Sequence, residues 1–243
     1  MTTLVTATGR RLPRGWAHLG LQFAIWIGFY LAYQVARGLA DHGGTASAFA
    51  NGRWVIDIQR DLHSMFELTL QKGVERSWLL IQVTSWTYWL SQFAVVGIAL
   101  LWVYFKAHPR FLRLRDTLIT ANLMGLVGYV LLPTAPPRMF PEAGFHDTLE
   151  AHAAVDHSSS VVAFASNPYA AMPSLHSADA LIVGVTMALV VRRWWAKALW
   201  LTWPAWVWFS VMATGNHFWL DIAAGVLVAG VAAALVMRWR RAG

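Results

Sequence analysis

The sequence predicts an all-α integral membrane protein: a six-transmembrane-helix bundle with an amphipathic interfacial helix after the first span. Of the 243 residues, 57% are hydrophobic and only 13% are charged, whereas soluble domains are about half apolar and about a quarter charged. The apolar residues form runs of a length that crosses a bilayer as helix. Tryptophan is frequent, with 15 residues, many at the ends of these runs, as is typical of interfacial belts.

Six apolar runs are predicted to span the membrane within one domain, residues 1–243. They follow a basic tail at 1–18 and cover residues 19–36, 78–105, 118–133, 173–191, 198–213 and 217–237. The third run is short for a span and ends where Pro133 interrupts the helical pattern. A basic loop at 106–115 precedes it. The segments 37–76 and 134–172 are too polar to span and are expected outside the cytoplasm.

The first polar segment contains an amphipathic pattern between Ala48 and Leu70. Apolar residues recur there at helical spacing, and the opposite face carries charges such as Arg53, Asp57 and Arg60. The pattern predicts one helix, which either lies in the outer membrane interface or packs as a cap over the bundle.

The positive charges predict the orientation of the chain. The tail and the segments after spans two, four and six hold three, four, three and three Lys or Arg residues, which is 13 of the 19. Because positively charged loops stay in the cytoplasm, both termini are predicted to be cytoplasmic. Membrane orientation and attraction to anionic lipid explain the net charge of +7, so nucleic acid is not an expected partner. Cysteine is absent, which excludes disulfides and thiolate metal sites.

Two histidines stand at the openings of predicted spans, where ionisable groups are costly and usually functional. His176 begins span four, and His217 begins span six with Asp221 four residues later, on the same helix face. The Asp221 carboxylate can hold the Nδ1–H of His217, which leaves Nε2 as a nucleophile. His176 can then protonate a leaving alkoxide as a general acid. These openings are expected near the extracytoplasmic face.

Further polar residues near these openings predict an anion site, and phosphate fits it best. Arg138 follows two prolines, and Ser174 follows Pro173 at the start of span four; Arg forks and helix amino ends both bind phosphate. Asp179, three residues after His176, either tunes that histidine or bonds a neighbouring helix. No metal or cofactor is expected, and three histidines are interpreted as plain loop residues: His146, His152 and His157.

At these residues the sequence resembles a known family. Pro173-Ser174-Leu175-His176 and His217-x-x-x-Asp221 are similar to the second and third motifs of the type 2 phosphatidic acid phosphatase superfamily. The resemblance implies a six-helix bundle and metal-independent phosphoester cleavage through a phosphohistidine. It makes His217 the nucleophile, Asp221 its orienting partner, His176 the acid and Ser174 a phosphate ligand. Three further positions are implicated in binding phosphate or substrate by their place in the motifs: Arg138, Ser210 and Asn216.

Several positions depart from the motifs of the superfamily. Leu131 stands where the first motif has Lys, Leu175 where the second has Gly, and Val211 where the third has Arg; Met139 replaces a Pro. With Ala-Pro-Pro-Arg and Pro-Ser-Leu-His, the sequence resembles most the inositol phosphorylceramide synthase branch, which moves a phospho-headgroup between lipids. A phosphodiester carries less charge than a monoester, which suits a site with fewer cations. The expected substrate is a membrane lipid, with an alcohol or water as acceptor.

Other functions stay open at this point. A phosphatase acting on phosphatidate or polyprenyl phosphate would use the same residues, and a lipid transporter or scaffold would keep the bundle without the chemistry. An intramembrane serine protease using Ser174 is disfavoured because no Gly-x-Ser-x-Gly occurs. A zinc enzyme is disfavoured because the His-Glu-x-x-His pattern is missing. The sequence does not specify the oligomeric state.

Overall fold

The computed structural model describes residues 12–39, 45–148 and 168–242, and these residues form helices and no β-strand. The predicted all-α class is confirmed. Most of the predicted tail, the segment 149–167 and with it His152 and His157 lie outside the described residues. The α-helices are α1 Gly15–Leu39, α2 Thr45–Asp61, α3 Glu67–Glu75, α4 Trp78–Leu90, α5 Val96–Lys106, α6 His108–Leu131, α7 Leu175–Val190, α8 Trp194–Ala213 and α9 Trp219–Ala242.

Three stretches of helix are long and apolar enough to cross a membrane. They are Gly15–Ala36 in α1, Trp78–Lys106, which joins α4 and α5 through a π-helical turn at Ser91–Val95, and Trp219–Arg241 in α9. These helices identify a membrane protein, as predicted. Helix α7 is apolar but has only 16 residues, fewer than the roughly 20 of a typical span. The count of six spans therefore stays a prediction.

Helix α6 differs from the predicted third span. It begins at His108 rather than near residue 118, so most of the expected basic loop is helical. Pro109 lies in its first turn, where a helix does not need the missing N–H. The charges are paired along this stretch: Arg115 bonds Asp116 and, at 2.5 Å, Gln22 of α1. Asp116 also pairs with Arg240 of α9, so the network ties α1, α6 and α9 together.

The predicted amphipathic helix is two helices, α2 and α3. The chain turns between them at His63, which has a φ of +50°. Both helices pack inward, and α3 lies against α8. The cap arrangement is therefore observed, with Trp54 left 58% exposed on the outer side. A core cluster lies beneath the cap and contains Ala48, Val55, Ile56, Ala135, Phe140, Phe145 and Phe218.

Close packing around the amino end of α7 positions the residues that follow it. Gly225 of α9 lies so near this end that a Cβ there would stand 2.2 Å from the Ser174 carbonyl oxygen. On the opposite side, a Cβ at Gly125 of α6 would stand 2.6 Å from the Leu175 side chain. The start of α7 is thus held between α6 and α9, and this contact places His176.

We expect Gly225→Ala to lower the free energy of unfolding by about 1–3 kcal/mol, because the added methyl group overpacks the contact with Ser174. Gly230→Ala is the matched control on the same helix, since no atom would lie within 4 Å of its Cβ. Thermal melting of both purified variants in detergent measures the difference. Equal melting temperatures would contradict the tight α7–α9 contact.

Candidate active site

Helix α7 presents His176 from its first turn. Ser174 is the N-cap, and its hydroxyl accepts the Ser177 N–H at 3.3 Å, a common way to satisfy an otherwise unpaired amide. The Ser174 N–H donates to the Asp221 carbonyl at 2.9 Å, which joins this end of α7 to α9. The His176 ring stacks on Tyr88 of α4, with centroids 4.4 Å apart. Its orientation is therefore set by two neighbouring helices.

The connection from α8 to α9 places His217. Gly215 has a φ of +70°, a conformation that glycine adopts without the strain of a side chain. Its N–H donates to the Met212 carbonyl, and the Asn216 N–H donates to the Val211 carbonyl at 3.0 Å. This is the Schellman arrangement that ends many helices. It turns the chain sharply, so His217 follows directly at the mouth of α9.

Asp221 contacts His217 and closes the amino end of α9. Its Oδ2 lies 3.3 Å from the His217 Nδ1 and accepts the Phe218 N–H at 2.8 Å, as the acidic member of a capping box does. The Asp221 side chain is completely buried. An Asp221 carboxylate in this position accepts the Nδ1–H of His217, which puts the lone pair of the ring on Nε2.

Arg138 approaches the two histidines from the turn Pro137–Met139. Its backbone N–H donates to the Gly215 carbonyl at 2.8 Å, which links this turn to the α8–α9 connection. The guanidinium donates to the Asn216 side-chain oxygen at 2.6 Å and lies 3.2 Å from the Asp147 carboxylate. Arg138 is therefore held in place on both sides, and Asp147 partly balances its charge.

These side chains surround one small cavity of about 30 Å³. The His176 and His217 rings face it with centroids 5.7 Å apart, so both imidazoles can reach one group placed between them. The cavity has room for about two water-sized groups. Its polar lining residues include Tyr88, Gln92, Arg138, His176, Asn216 and His217.

Four predicted site residues do not line this cavity: Asp221, which lies behind His217, and Ser174, Ser210 and Asp179. Ser174 is buried as the cap of α7, and Ser210 is buried in α8, where its hydroxyl donates to the Trp206 carbonyl at 2.8 Å. Asp179 accepts a hydrogen bond from Asn122 at 2.9 Å, which matches the alternative in which it bonds a neighbouring helix. The proposed phosphate contacts of Ser174 and Ser210 receive no support from this geometry.

The structure gives a place to three of the four departures from the superfamily motifs. Leu175 fills the space that Gly125 leaves on α6. Val211 is buried in a core cluster with Val207 and Ile222, and Leu131 is 77% exposed at the end of α6. In the part of the chain that the structure describes, Arg138 is the one Lys or Arg lining the cavity.

Sequence reasoning missed Glu67, which supports the start of α9. This side chain is completely buried, and its Oε1 accepts the Trp219 N–H at 2.8 Å and the Gln59 amide at 2.5 Å. Burial raises the pKa of the Glu67 carboxyl above its usual range, although both hydrogen bonds oppose the shift. Glu67 lies 152 positions from Trp219 in the sequence, so no local pattern could have indicated the contact.

Tyr88 and Gln92 were also missed. Both line the cavity from the helical stretch Trp78–Lys106, where they are two of several polar residues in a mainly apolar run. The structure contains no group of three His, Asp or Glu residues suited to a metal ion within residues 12–39, 45–148 and 168–242. His146 pairs instead with Glu75.

We expect Glu67→Gln to keep activity, because a neutral amide oxygen can still accept both hydrogen bonds. Glu67→Ala removes that acceptor and should lower kcat by about tenfold or more, since small misplacements of catalytic groups are costly. The measurements are kcat, KM and the melting temperature of both variants beside the exposed-site control Glu142→Ala. If Glu67→Ala lowered the melting temperature but kept its kcat, Glu67 would stabilise the fold without positioning the catalytic groups.

Comparisons with known proteins agree with the motif resemblance. The family model described as the PAP2 superfamily matches residues 53–235. A phosphoinositol dihydroceramide synthase from Bacteroides thetaiotaomicron is 28% identical over 163 residues, which is 61% of this chain and 53% of that protein. This chain therefore matches about half the length of that curated relative. No solved structure gave a significant match.

Proposed function

The chain belongs to the PAP2 superfamily, and on that premise we propose that it transfers a phospho-headgroup between membrane lipids through a phosphohistidine on His217. The activity class, a lipid phosphatase or phosphotransferase, follows from the superfamily and from the relative. The proposed phosphohistidine mechanism rests on one observation. His217 pairs with the buried Asp221, and the His217 ring lies across the cavity from His176.

In the first step, the Nε2 of His217 attacks the phosphorus of a lipid phosphodiester. The P–N bond forms as the P–O bond to the lipid alcohol breaks, and the leaving oxygen takes its proton from a protonated His176. Asp221 stabilises the positive charge that develops on the His217 ring. Arg138, positioned by Asn216, binds the non-bridging oxygens.

In the second step, an acceptor alcohol attacks the phosphorus. It gives its proton to the neutral His176, the new P–O bond forms, and the P–N bond to His217 breaks. His176 is then protonated and His217 neutral again, so the cycle closes without a cofactor. Water in place of the alcohol would give hydrolysis by the same route.

The charge of the cavity favours transfer from a phosphodiester over hydrolysis of a phosphate monoester. Asp147 lies 3.2 Å from Arg138 and offsets part of its charge, which disfavours a doubly charged monoester. The relative is named as a synthase that joins phosphoinositol to dihydroceramide. We therefore propose an inositol-phosphate type of headgroup and a lipid alcohol of the ceramide class as acceptor.

We further propose six membrane spans with both termini in the cytoplasm and the cavity near the outer face. The 20-residue α8 supports this topology by length. The paired charges of Arg115 and Asp116 lie in the first half of α6, and Arg240 lies in the last turn of α9; both places are remote from the cavity. That location fits the cytoplasmic boundary.

The proposal is tested by incubating the purified protein in detergent and EDTA with a phosphoinositol lipid and ceramide. We expect transfer that survives chelation and falls by about 10³-fold or more in His217→Ala, because that variant lacks the nucleophile. His146→Ala is the matched control, a histidine outside the cavity. Headgroup release to water without transfer would indicate a phosphodiester hydrolase, and turnover unaffected by His217→Ala would overturn the mechanism.

A further inference from the structure

A second and larger cavity of about 240 Å³ lies next to the catalytic one. It is a cleft between α1, the π-helical turn, α6 and α7. Aromatic side chains of α1 form one wall, including Trp26, Tyr30 and Tyr33. From Trp26 to Gln34 this wall follows α1 for about 12 Å, which suits part of a lipid chain.

Gln92 connects the two cavities, because it lines both of them. It lies in the π-helical turn Ser91–Val95, and such turns occur frequently at functional sites. Tyr88, which stacks on His176, lies four residues before it on the same helix. A molecule in the cleft would therefore have one end beside the catalytic histidines.

The inner end of the cleft carries a polar cluster around Asp179. This carboxylate is 4% exposed and accepts hydrogen bonds from the side chains of Asn122 and Gln92. Among the residues that the structure describes, none that lines the cleft carries a positive charge. A phosphate there would be buried without a cation among the described lining residues to pair with it, whereas a neutral group with an O–H or N–H donor can donate to the Asp179 oxygens.

We propose that this cleft binds the acceptor lipid, an inference that rests on the proposed transferase function. Its chain would lie along the aromatic wall of α1. An amide N–H or secondary hydroxyl next to the reacting hydroxyl would donate to Asp179, with Gln92 and Asn122 as further partners. Asp179 follows His176 by three residues, a rise of about 4.5 Å along α7. Neighbouring polar groups of a lipid backbone are separated by a similar distance.

This assignment makes Asp179 a specificity-determining residue. A ceramide carries both an amide and a secondary hydroxyl beside its primary hydroxyl, whereas a diacylglycerol carries only esters there, which cannot donate a hydrogen bond. The cluster therefore distinguishes the two lipid alcohols by a donor that only one of them has. Such hydrogen-bonding sites discriminate more strongly than apolar pockets do.

The first test compares Ile27→Trp, which fills the cleft from α1, with the matched control Ile98→Trp on the lipid-exposed face of α5. Transfer from a phosphoinositol lipid to ceramide and headgroup release to water are measured in the same vesicles. We expect Ile27→Trp to lower the ratio of transfer to release by about tenfold, because bulk in an apolar pocket opposes the chain. Ile98→Trp should leave the ratio unchanged.

The second test uses Asp179→Asn, which keeps the size of the side chain and removes its charge. We expect the preference for ceramide over diacylglycerol as acceptor to fall by about tenfold, while Asn122 still has an acceptor. Unchanged preference in Asp179→Asn, together with an unchanged ratio in Ile27→Trp, would overturn the cleft assignment and leave the transferase proposal intact. The cluster would then serve only to join α6 and α7.

A binding measurement separates the two proposals. A ceramide with a photoreactive group in its chain is crosslinked to the inactive His217→Ala protein, and the labelled peptides are mapped by mass spectrometry. Labelling of residues 26–34 that Ile27→Trp abolishes supports the cleft, even if the wild-type protein transfers no headgroup and the transferase proposal fails. Labelling confined to other helices would contradict the cleft.

Discussion

The contact between His217 and Asp221 is the interaction on which the candidate site depends. One carboxylate oxygen of Asp221 contacts the His217 imidazole and also accepts the N–H of Phe218, the residue just before α9. The same oxygen of Asp221 therefore both caps the helix and orients the proposed nucleophile. The same residue accepts the Ser174 N–H through its carbonyl, so the segment that carries His176 is tied to the segment that carries His217. His176 and His217 lie close together because Asp221, in the first turn of α9, contacts both segments.

The cap formed by α2 and α3 stabilises this beginning from outside the bundle. Glu67 accepts the next amide of α9, that of Trp219, and Ser64 accepts the Trp219 indole N–H at 3.2 Å. Phe218, between His217 and Trp219, is fully buried in the core cluster under the cap. Phe218, directly beside the proposed nucleophile, thus packs into the core under the cap, which couples folding of the cap to the geometry of the cavity.

Much of the site could be predicted because its signals are local. The spacing of His217 and Asp221 specifies one helix face, and the Arg138 and His176 motifs are short. The contact of Glu67 with Trp219 could not be predicted because it is a long-range contact. The place of Gln92 in the cavity could not be predicted because it depends on a π-helical turn inside a mainly apolar run that contains several polar residues. The start of α6 was missed for a related reason. Arg110, Arg113 and Arg115 suggest a loop by charge, yet arginine favours helix and Asp116 neutralises part of the charge.

The chemical account requires that the headgroup pass through a covalent bond to His217. The most direct measurement is mass spectrometry of the protein quenched in alkali during turnover with a phosphoinositol lipid, conditions under which a phosphoramidate persists. The account predicts a phosphoinositol adduct on His217 that disappears when ceramide is added in excess. A protein that turns over its lipid with no adduct on His217, or with the adduct on another residue, would contradict the account.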